Sequence, residues 1–366
     1  MIKRLVILLG ILLCLMTSCG QDYVYRIDGK LSNLEDEVIY VVYEREDYKL
    51  VDTVFCEKPG QFTVFQQQEG FHTATIYFNE KADQVTAYLT PQQKVTISGD
   101  ADSPLLIQVK GGKINDRLND FSKTISPLLK ELSELNRQFT QRQNRTMDEA
   151  DIITQMANID IQLKEQAKLF ITESPDEEAS VVLIGNYFAE PEDTRKMDEL
   201  LAMLDPELKS FFLTRELEQY SMRAKRTAIG AEAPGFALKD IYGNSFSLDS
   251  FPDRYLLLTF TAPWCDMCQT EDLYLDQVVS NYPKEKVDVL LISLDDKQQA
   301  VREVLANDTI QWNLVTDSAG QATMMLDLYN VSALPRSFLI DEEGKIIMKT
   351  ENGIEIKQTL EKLFAE

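Results

Sequence analysis

Trp264-Cys265-Asp266-Met267-Cys268 is the stretch that decides the fold of the C-terminal part of this 366-residue chain. The apolar run 255–260 before it predicts a buried strand, and residues 270–279 after it predict a helix. At such a junction the first sulfur lies at a helix N-terminus, where free N–H groups and the helix dipole favour a thiolate. The second sulfur lies about one turn further on, close enough to form a disulfide with the first. The spacing therefore predicts a centre for thiol–disulfide exchange.

Two other uses of a Cys-x-x-Cys pair fit this sequence less well. Structural zinc needs four ligands, whereas the chain has a single histidine, His72, and no second cysteine pair. A permanent structural disulfide across so short a spacing would gain little loop-closure entropy. The sequence therefore predicts no metal site and no cofactor, and it favours a redox-active pair.

Four motifs follow one another in a fixed order in residues 230–366. They are Ala233-Pro234-Gly235-Phe236-Ala237-Leu238-Lys239-Asp240, the Trp-Cys-x-x-Cys centre, Glu271 three residues after the second cysteine, and Leu334-Pro335 ahead of Phe338-Leu339-Ile340-Asp341. Together they resemble the TlpA/ResA type of membrane-associated thiol–disulfide oxidoreductases of bacterial envelopes. The resemblance implies a thioredoxin fold, an α/β domain whose central mixed sheet is flanked by helices.

The resemblance also implies a role for each motif residue. Cys265 and Cys268 would form the redox-active disulfide. Pro335 would be a cis-proline packed against that disulfide, and the backbone of Leu334 would pair with the bound substrate. Glu271 would exchange a proton with the resolving thiol, Cys268. The alternative for Glu271 is an ordinary solvated helix charge, because glutamates are mostly exposed.

Several positions near the cysteines depart from the family pattern. Arg336 replaces the small residue common after the cis-proline and is a candidate substrate contact. Trp264 is a second candidate and is expected to pack beside the cysteines and limit water. Met267 stands where the family usually has proline, and Thr259 stands where thioredoxin carries a buried aspartate. Asp266 adds negative charge, which is expected to raise the thiol pKa.

The first nineteen residues predict export and lipid attachment. The basic start 1–4 precedes an apolar stretch, 5–16, that is too short to span a bilayer. Small residues then lead to Cys19, in a pattern that resembles a bacterial lipobox. The resemblance implies removal of residues 1–18 and lipidation of Cys19, and ordinary secretory cleavage is the alternative. Both outcomes place the chain outside the cytoplasm, on the periplasmic side of the envelope, where disulfide chemistry is favoured.

Composition and pattern organise the rest of the chain. The formal net charge of −23 argues against nucleic acid as a partner. Residues 19–112 combine the anchor, a short linker and strand-like runs whose turn signals suit an antiparallel sandwich. This segment resembles the small β-domain of unknown function that precedes thioredoxin-like domains in Gram-negative lipoproteins, and it could be a spacer or could bind a ligand. Residues 113–228 show helical periodicity, with a polar loop at 141–145.

The sequence thus predicts a multidomain α+β protein: an N-terminal antiparallel β-sandwich-like module, a central helical region and a C-terminal thioredoxin fold at 229–366. The family implies a reductant of periplasmic proteins, recharged by a membrane electron donor and serving cytochrome c maturation or envelope repair. Two alternatives stay open. One is a non-catalytic envelope scaffold, and the other is a peroxiredoxin-like peroxidase. The peroxidase would need Thr or Ser three residues before its reactive cysteine, where this chain has Ala262.

Overall fold

The structure is a computed structural model that describes residues 24–45, 48–67, 70–140, 147–295, 313–317 and 319–365. The described chain divides into two compact units. One unit contains the residues up to Phe188 together with Glu199–Glu216, and the other contains Ala189–Asp198 and the chain from Leu217 onward. The predicted division of the chain at residues 112 and 228 stays a prediction. No helix in the described ranges is long and apolar enough to cross a membrane.

The described residues between 24 and 110 form two four-stranded sheets. The strands are β1 (Val24–Ser32), β2 (Val38–Arg45), β3 (Tyr48–Phe55), β4 (Gln61–Gln67), β5 (His72–Phe78), β6 (Asp83–Leu89), β7 (Lys94–Asp100) and β8 (Gln108–Lys110). Their orders are β4-β1-β7-β8 and β3-β2-β5-β6. Alternate residues of β2, Ile39, Val41 and Tyr43, enter a core to which both sheets contribute, as period-2 alternation requires.

The predicted sandwich is confirmed, but one strand pair is not antiparallel. β1 pairs antiparallel with β4, so that Ile27 faces Val64, and it pairs parallel with β7, so that Ile27 also faces Val95. Between β1 and β7 the chain passes through the second sheet. Such a long crossover is what a parallel neighbour requires, and the sequence alone did not indicate it.

Six α-helices are seen in the described residues of the central region. They are α1 (Lys113–Thr124), α2 (Ser126–Thr140), α3 (Glu149–Glu173), α4 (Glu178–Phe188), α5 (Arg195–Met203) and α6 (Phe212–Arg226). Apolar residues recur at three- and four-residue steps from Leu118 to Leu135, as in one continuous helix, but the structure ends the first helix at Thr124. Pro127 explains the break, because it has no N–H to donate to the preceding turn. The predicted polar loop at 141–145 lies outside the described residues.

The C-terminal part is the predicted thioredoxin-like α/β domain. It comprises β9 (Ala237–Lys239), β10 (Ser245–Ser247), β11 (Tyr255–Thr261), α7 (Asp266–Val279), β12 (Val287–Ser293), β13 (Asn313–Thr316), α8 (Gln321–Leu328), β14 (Arg336–Ile340), β15 (Ile346–Thr350) and α9 (Gly353–Leu363). Its five-stranded sheet has the order β13-β12-β11-β14-β15. β11, β12 and β13 pair in parallel, β14 pairs antiparallel with β11, and β15 pairs antiparallel with β14.

Both faces of this sheet are buried, which explains the continuous apolar run in β11. Leu258 and Phe260 belong to the core on one face, together with Met325 of α8. Leu257 belongs to the opposite core, together with Leu275 of α7 and Leu360 of α9. A strand buried on both faces reads as an unbroken hydrophobic run rather than as an alternating one.

Candidate active site

The site lies where β11 ends and α7 begins. The helix starts at Asp266, so the first cysteine lies at a helix N-terminus as predicted, although the helical pattern itself begins only at Thr270. Asp266 and Met267 are exposed and show no apolar periodicity. Cys265 therefore lies directly before the first helical residue, and the backbone N–H of Cys268 donates to its sulfur over 3.2 Å. The sulfur thus accepts from one of the N–H groups that a helix N-terminus leaves free.

The two cysteines form a disulfide and differ in accessibility. Their Cα atoms are 5.2 Å apart. Cys268 has no exposed surface, whereas Cys265 is partly exposed. Any partner arriving from solvent therefore meets Cys265 first. This asymmetry suits a pair in which one sulfur attacks a partner and the other resolves the adduct.

Leu334-Pro335 is a cis peptide, as the resemblance implied. Pro335 is buried, and Leu334 is half-buried against the core of the sheet. The pair directly precedes β14, whose first residue, Arg336, is opposite Phe260 in the antiparallel register with β11. The C-terminal end of β11 and the N-terminal end of β14 therefore lie at the same end of the sheet. This places the cis-proline and the cysteines at that end.

The position of thioredoxin's buried aspartate is neutral in this chain. Thr259 is fully buried, and its hydroxyl lies 3.0 Å from that of Ser337 on the neighbouring strand. The two hydroxyls satisfy each other across the ladder, so the site needs no charge there. This departure was visible in the sequence, but its partner, Ser337, was not.

Glu271 projects from the second turn of α7 towards the start of α9. Its carboxylate accepts a hydrogen bond of 2.7 Å from the Gly353 N–H. Gly353 is the first residue of α9, and a side chain there would overlap the Glu271 carboxylate and the ring of Tyr274. A carboxylate at a helix N-terminus is electrostatically favourable. The proposed exchange of a proton with Cys268 stays a prediction.

Arg336 is mostly buried and ion-paired. Its guanidinium lies 3.3 Å from the Glu192 carboxylate and 3.4 Å from the Glu351 carboxylate. Lys349, whose side chain is 1% exposed, approaches Glu192 to 3.2 Å and lies over the ring of Phe338. The prediction singled out Arg336 and missed Glu192 and Lys349. The available signal was a lysine that continues the apolar segment 346–348, because a lysine in a buried strand needs an anionic partner.

Trp264 is 69% exposed, and Met267 across the motif is 66% exposed. The predicted packing of Trp264 beside the cysteines stays a prediction. Both residues flank the cysteines at the start of the helix, where the chain leaves the sheet. Large exposed apolar side chains around an accessible sulfur form a surface suited to contact with another molecule.

Comparison with known proteins agrees with this geometry. Residues 229–349 match the AhpC/TSA family, and residues 25–118 match a domain of unknown function, DUF4369. Thiol-disulfide oxidoreductase ResA of Geobacillus thermodenitrificans is 31% identical over 139 residues, covering 37% of this chain and 78% of that protein. ResA of Bacillus thuringiensis subsp. konkukian is 29% identical over 142 residues, covering 39% and 80%.

The thioredoxin domain of a thiol-disulfide oxidoreductase from Bacteroides vulgatus has a crystal structure that is 29% identical, with a TM-score of 0.35, and the match covers 37% of this chain and 97% of that one. The ResA relatives therefore align with less than half of this chain. Three observations support the same family: the identity over most of ResA, the cysteine pair at the helix start, and the cis-proline at the same end of the sheet. The chain belongs to the ResA/TlpA-like thiol–disulfide oxidoreductases, with a thioredoxin-fold domain preceded by a DUF4369 module.

Proposed function

We propose that Cys265 and Cys268 are the centre through which this enzyme exchanges disulfides with periplasmic proteins, and that it acts as their reductant. The observation that carries the proposal is the asymmetry of the pair. Cys265 is partly exposed at a helix start and accepts the Cys268 N–H, whereas Cys268 is fully buried. A helix N-terminus favours the thiolate, which is the nucleophile of exchange.

The reaction proceeds in two displacements. The Cys265 thiolate attacks one sulfur of a substrate disulfide, forming a mixed disulfide and releasing the other substrate sulfur as a thiolate, which takes up a proton. Cys268 then loses its proton and attacks the Cys265 sulfur, which releases the second substrate thiolate and closes the enzyme disulfide. Two electrons pass from the enzyme dithiol to the substrate. A dithiol donor in the membrane restores the enzyme by the reverse sequence.

Neighbouring residues are assigned supporting roles. The backbone of Leu334 pairs with the substrate beside Pro335, and the exposed ring of Trp264 contacts it. Glu271 exchanges the proton of Cys268. Arg336, which directly follows the cis-proline and is held by two carboxylates, fixes the backbone at the start of β14. No metal or other cofactor takes part in this scheme.

The location of the enzyme is part of the proposal. Residues 1–18 would be removed as a lipoprotein signal, and Cys19 would carry the lipid that holds the enzyme to the membrane, facing the periplasm. Apocytochrome c in its disulfide form is one substrate of suitable chemistry, because haem attachment requires the free thiols that the reduction produces. Envelope proteins with wrongly formed disulfides are another.

A trapping experiment tests the exchange centre. Cys268→Ala removes the resolving thiol, so mixed disulfides on Cys265 should persist in the envelope and appear as reducible adducts of discrete mass. Cys265→Ser added to this variant should abolish every adduct. Cys56 provides an internal control, because burial, with the nearby Asp36 charge, raises the pKa of its thiol and lowers its reactivity.

The same experiment separates the alternatives. An empty trap, together with a Cys265→Ser/Cys268→Ser variant that behaves as wild type in cells, would replace the proposal with a non-catalytic scaffold. Peroxide consumption that depends on Cys265 would indicate a peroxidase. The direction of exchange is measured from the redox state of the pair in cells, where a reductant should be found mainly as the dithiol.

A further inference from the structure

The β-rich unit contains a cavity that the exchange chemistry does not use. It has a volume of about 360 Å³ and lies between the outer face of β6 and helices α1, α2 and α4. This volume is within the range of about 300–1,000 Å³ that is typical of ligand pockets. None of its lining side chains is an Asp, Glu, Lys or Arg, although these residues make up 27% of the chain. The lining therefore favours an uncharged occupant.

Asn119 of α1 is the residue that indicates a binding site. It is only 7% exposed, it lines the cavity, and its side-chain amide has no hydrogen-bond partner among the residues that the structure describes. Asn115, one turn earlier, shows the contrast. Its side chain accepts the Tyr88 N–H at 2.9 Å and donates to the Tyr88 and Gly111 carbonyls, each at 2.7 Å. Asn119 is not among the described side chains whose polar atoms are enclosed without a partner, so its amide is reached from the cavity and is available to an occupant.

Two tyrosines keep the lining neutral. Burial raises the pKa of the Tyr88 phenol, and burial together with the Asp160 charge raises that of Tyr187. Both phenols line the cavity and stay protonated at neutral pH. Together with the asparagine amides, the two phenols offer neutral hydrogen-bond donors and acceptors. These match the N–H and C=O of a peptide group, which are also uncharged.

The edge of β6 supplies free backbone groups beside the cavity. The side chain of Asn115 occupies both backbone groups of Tyr88, so these groups face away from the neighbouring strand, β5. Outward-facing positions recur at every second residue of an antiparallel ladder, and the register between β5 and β6 is regular. Thr86 and Gln84, which also line the cavity, therefore direct their N–H and C=O groups outward. Such an edge is where an extended peptide pairs with a sheet.

We propose that this cavity binds a short uncharged segment of polypeptide, with one apolar side chain inside it and a backbone amide bonded to Asn119. The floor provided by Phe121, Leu129 and Leu183 suits the apolar side chain, and the outward groups of β6 suit the peptide backbone. The site would be shared between the β-rich module, which supplies β6, and the helices that follow residues 25–118. This inference does not depend on the exchange chemistry, since it involves neither cysteine.

Affinity selection with a peptide library tests the inference. The full-length protein carrying Cys265→Ser/Cys268→Ser is immobilised, so that no peptide can be held by a disulfide. It is offered a library of capped heptapeptides built from uncharged residues, and a second library with two or three charged residues in every peptide. Asn119→Leu, similar in size but without polar atoms, removes the proposed contact, and Asn136→Leu on the exposed side of α2 is the matched control.

We expect uncharged peptides to be enriched at least tenfold on the parent protein and on Asn136→Leu relative to Asn119→Leu. We also expect the melting temperature of Asn119→Leu to stay close to that of the parent, because the substitution breaks no hydrogen bond to a described residue. Equal enrichment on all proteins, or no enrichment at all, would overturn the proposal. Selection of charged peptides would overturn the ligand class, and a large drop in melting temperature would make Asn119 a structural residue.

Discussion

At the scale of single residues, the cis-proline strand is held by charges that the sequence did not connect. Arg336 and Lys349 are two buried cations on neighbouring strands, and Glu192 approaches both at 3.3 and 3.2 Å. Glu192 lies in Ala189–Asp198, which belongs to the same compact unit as the sheet. Because a buried cation is stable only with a partner, Glu192 neutralises charge at the strand that follows Pro335.

Replacing Glu192 should therefore destabilise the unit that contains the exchange centre. We expect Glu192→Gln to lower the free energy of unfolding by about 1–2 kcal/mol, less than for a fully buried pair because the glutamate is half exposed. Chemical denaturation measures the loss. Glu190→Gln, two residues away, should change little, and Lys349→Met added to Glu192→Gln should recover most of the stability. Wild-type stability of Glu192→Gln would contradict this account.

At the scale of elements, the sequence identified the long or strongly patterned segments and missed the others. The alternation in β2 and the continuous run in β11 were sufficient. β1 gives a weak strand signal because it contains Asp28-Gly29, a pair typical of turns. β3 gives a weak signal because most of its described side chains are exposed, so its alternation is poorly marked. The boundary between α1 and α2 is hidden because their apolar stripes continue through Pro127.

The contact between α5 and α6 predicts a pH-dependent stability. Asp198 accepts a hydrogen bond of 2.6 Å from Ser221 and lies 2.7 Å from Lys225. Burial alone would raise the pKa of Asp198, but the bonds to Lys225 and Ser221 outweigh it and lower that pKa. A lowered pKa in the folded state means that the contribution is present above the unfolded value of about 4 and is lost as the pH falls through the folded value.

We therefore expect Asp198→Asn to reduce the free energy of unfolding of the second compact unit, which contains Asp198, by about 1 kcal/mol at pH 7. The value is small because the carboxylate is partly exposed. The difference from wild type should shrink as the pH falls below about 4. Urea denaturation at pH 7, 5 and 3 measures it. Asp193→Asn, which removes an exposed ion pair with Arg195, is the control and should have little effect at any pH. A difference that grows in acid would refute the assignment.

At the scale of the whole molecule, two compact units imply two cooperative transitions rather than one. The Cys265–Cys268 disulfide lies in the second unit. Its ring is small, so its reduction should cost roughly 2 kcal/mol of loop entropy. We expect dithiothreitol to lower only one of two calorimetric transitions, by about 4–8 °C. The Cys265→Ser/Cys268→Ser variant should be insensitive to the reductant. A shift of both transitions would show that the units unfold together.

The sequence by itself determined the cysteine pair at a strand-to-helix junction and the β-rich, helical and α/β order of the chain. These are local properties, because a junction and its motif lie within a few residues of each other. The thioredoxin fold and the cis-proline came from the resemblance of the ordered motifs to the TlpA/ResA type. Only the tertiary structure decided that Glu192 meets Arg336 and Lys349, that Ser337 satisfies Thr259, that β1 and β7 are parallel, and that Asn119 faces a cavity without a partner. Each of these depends on segments far apart in the chain, and periodicity records which face of an element is buried but not what lies against it.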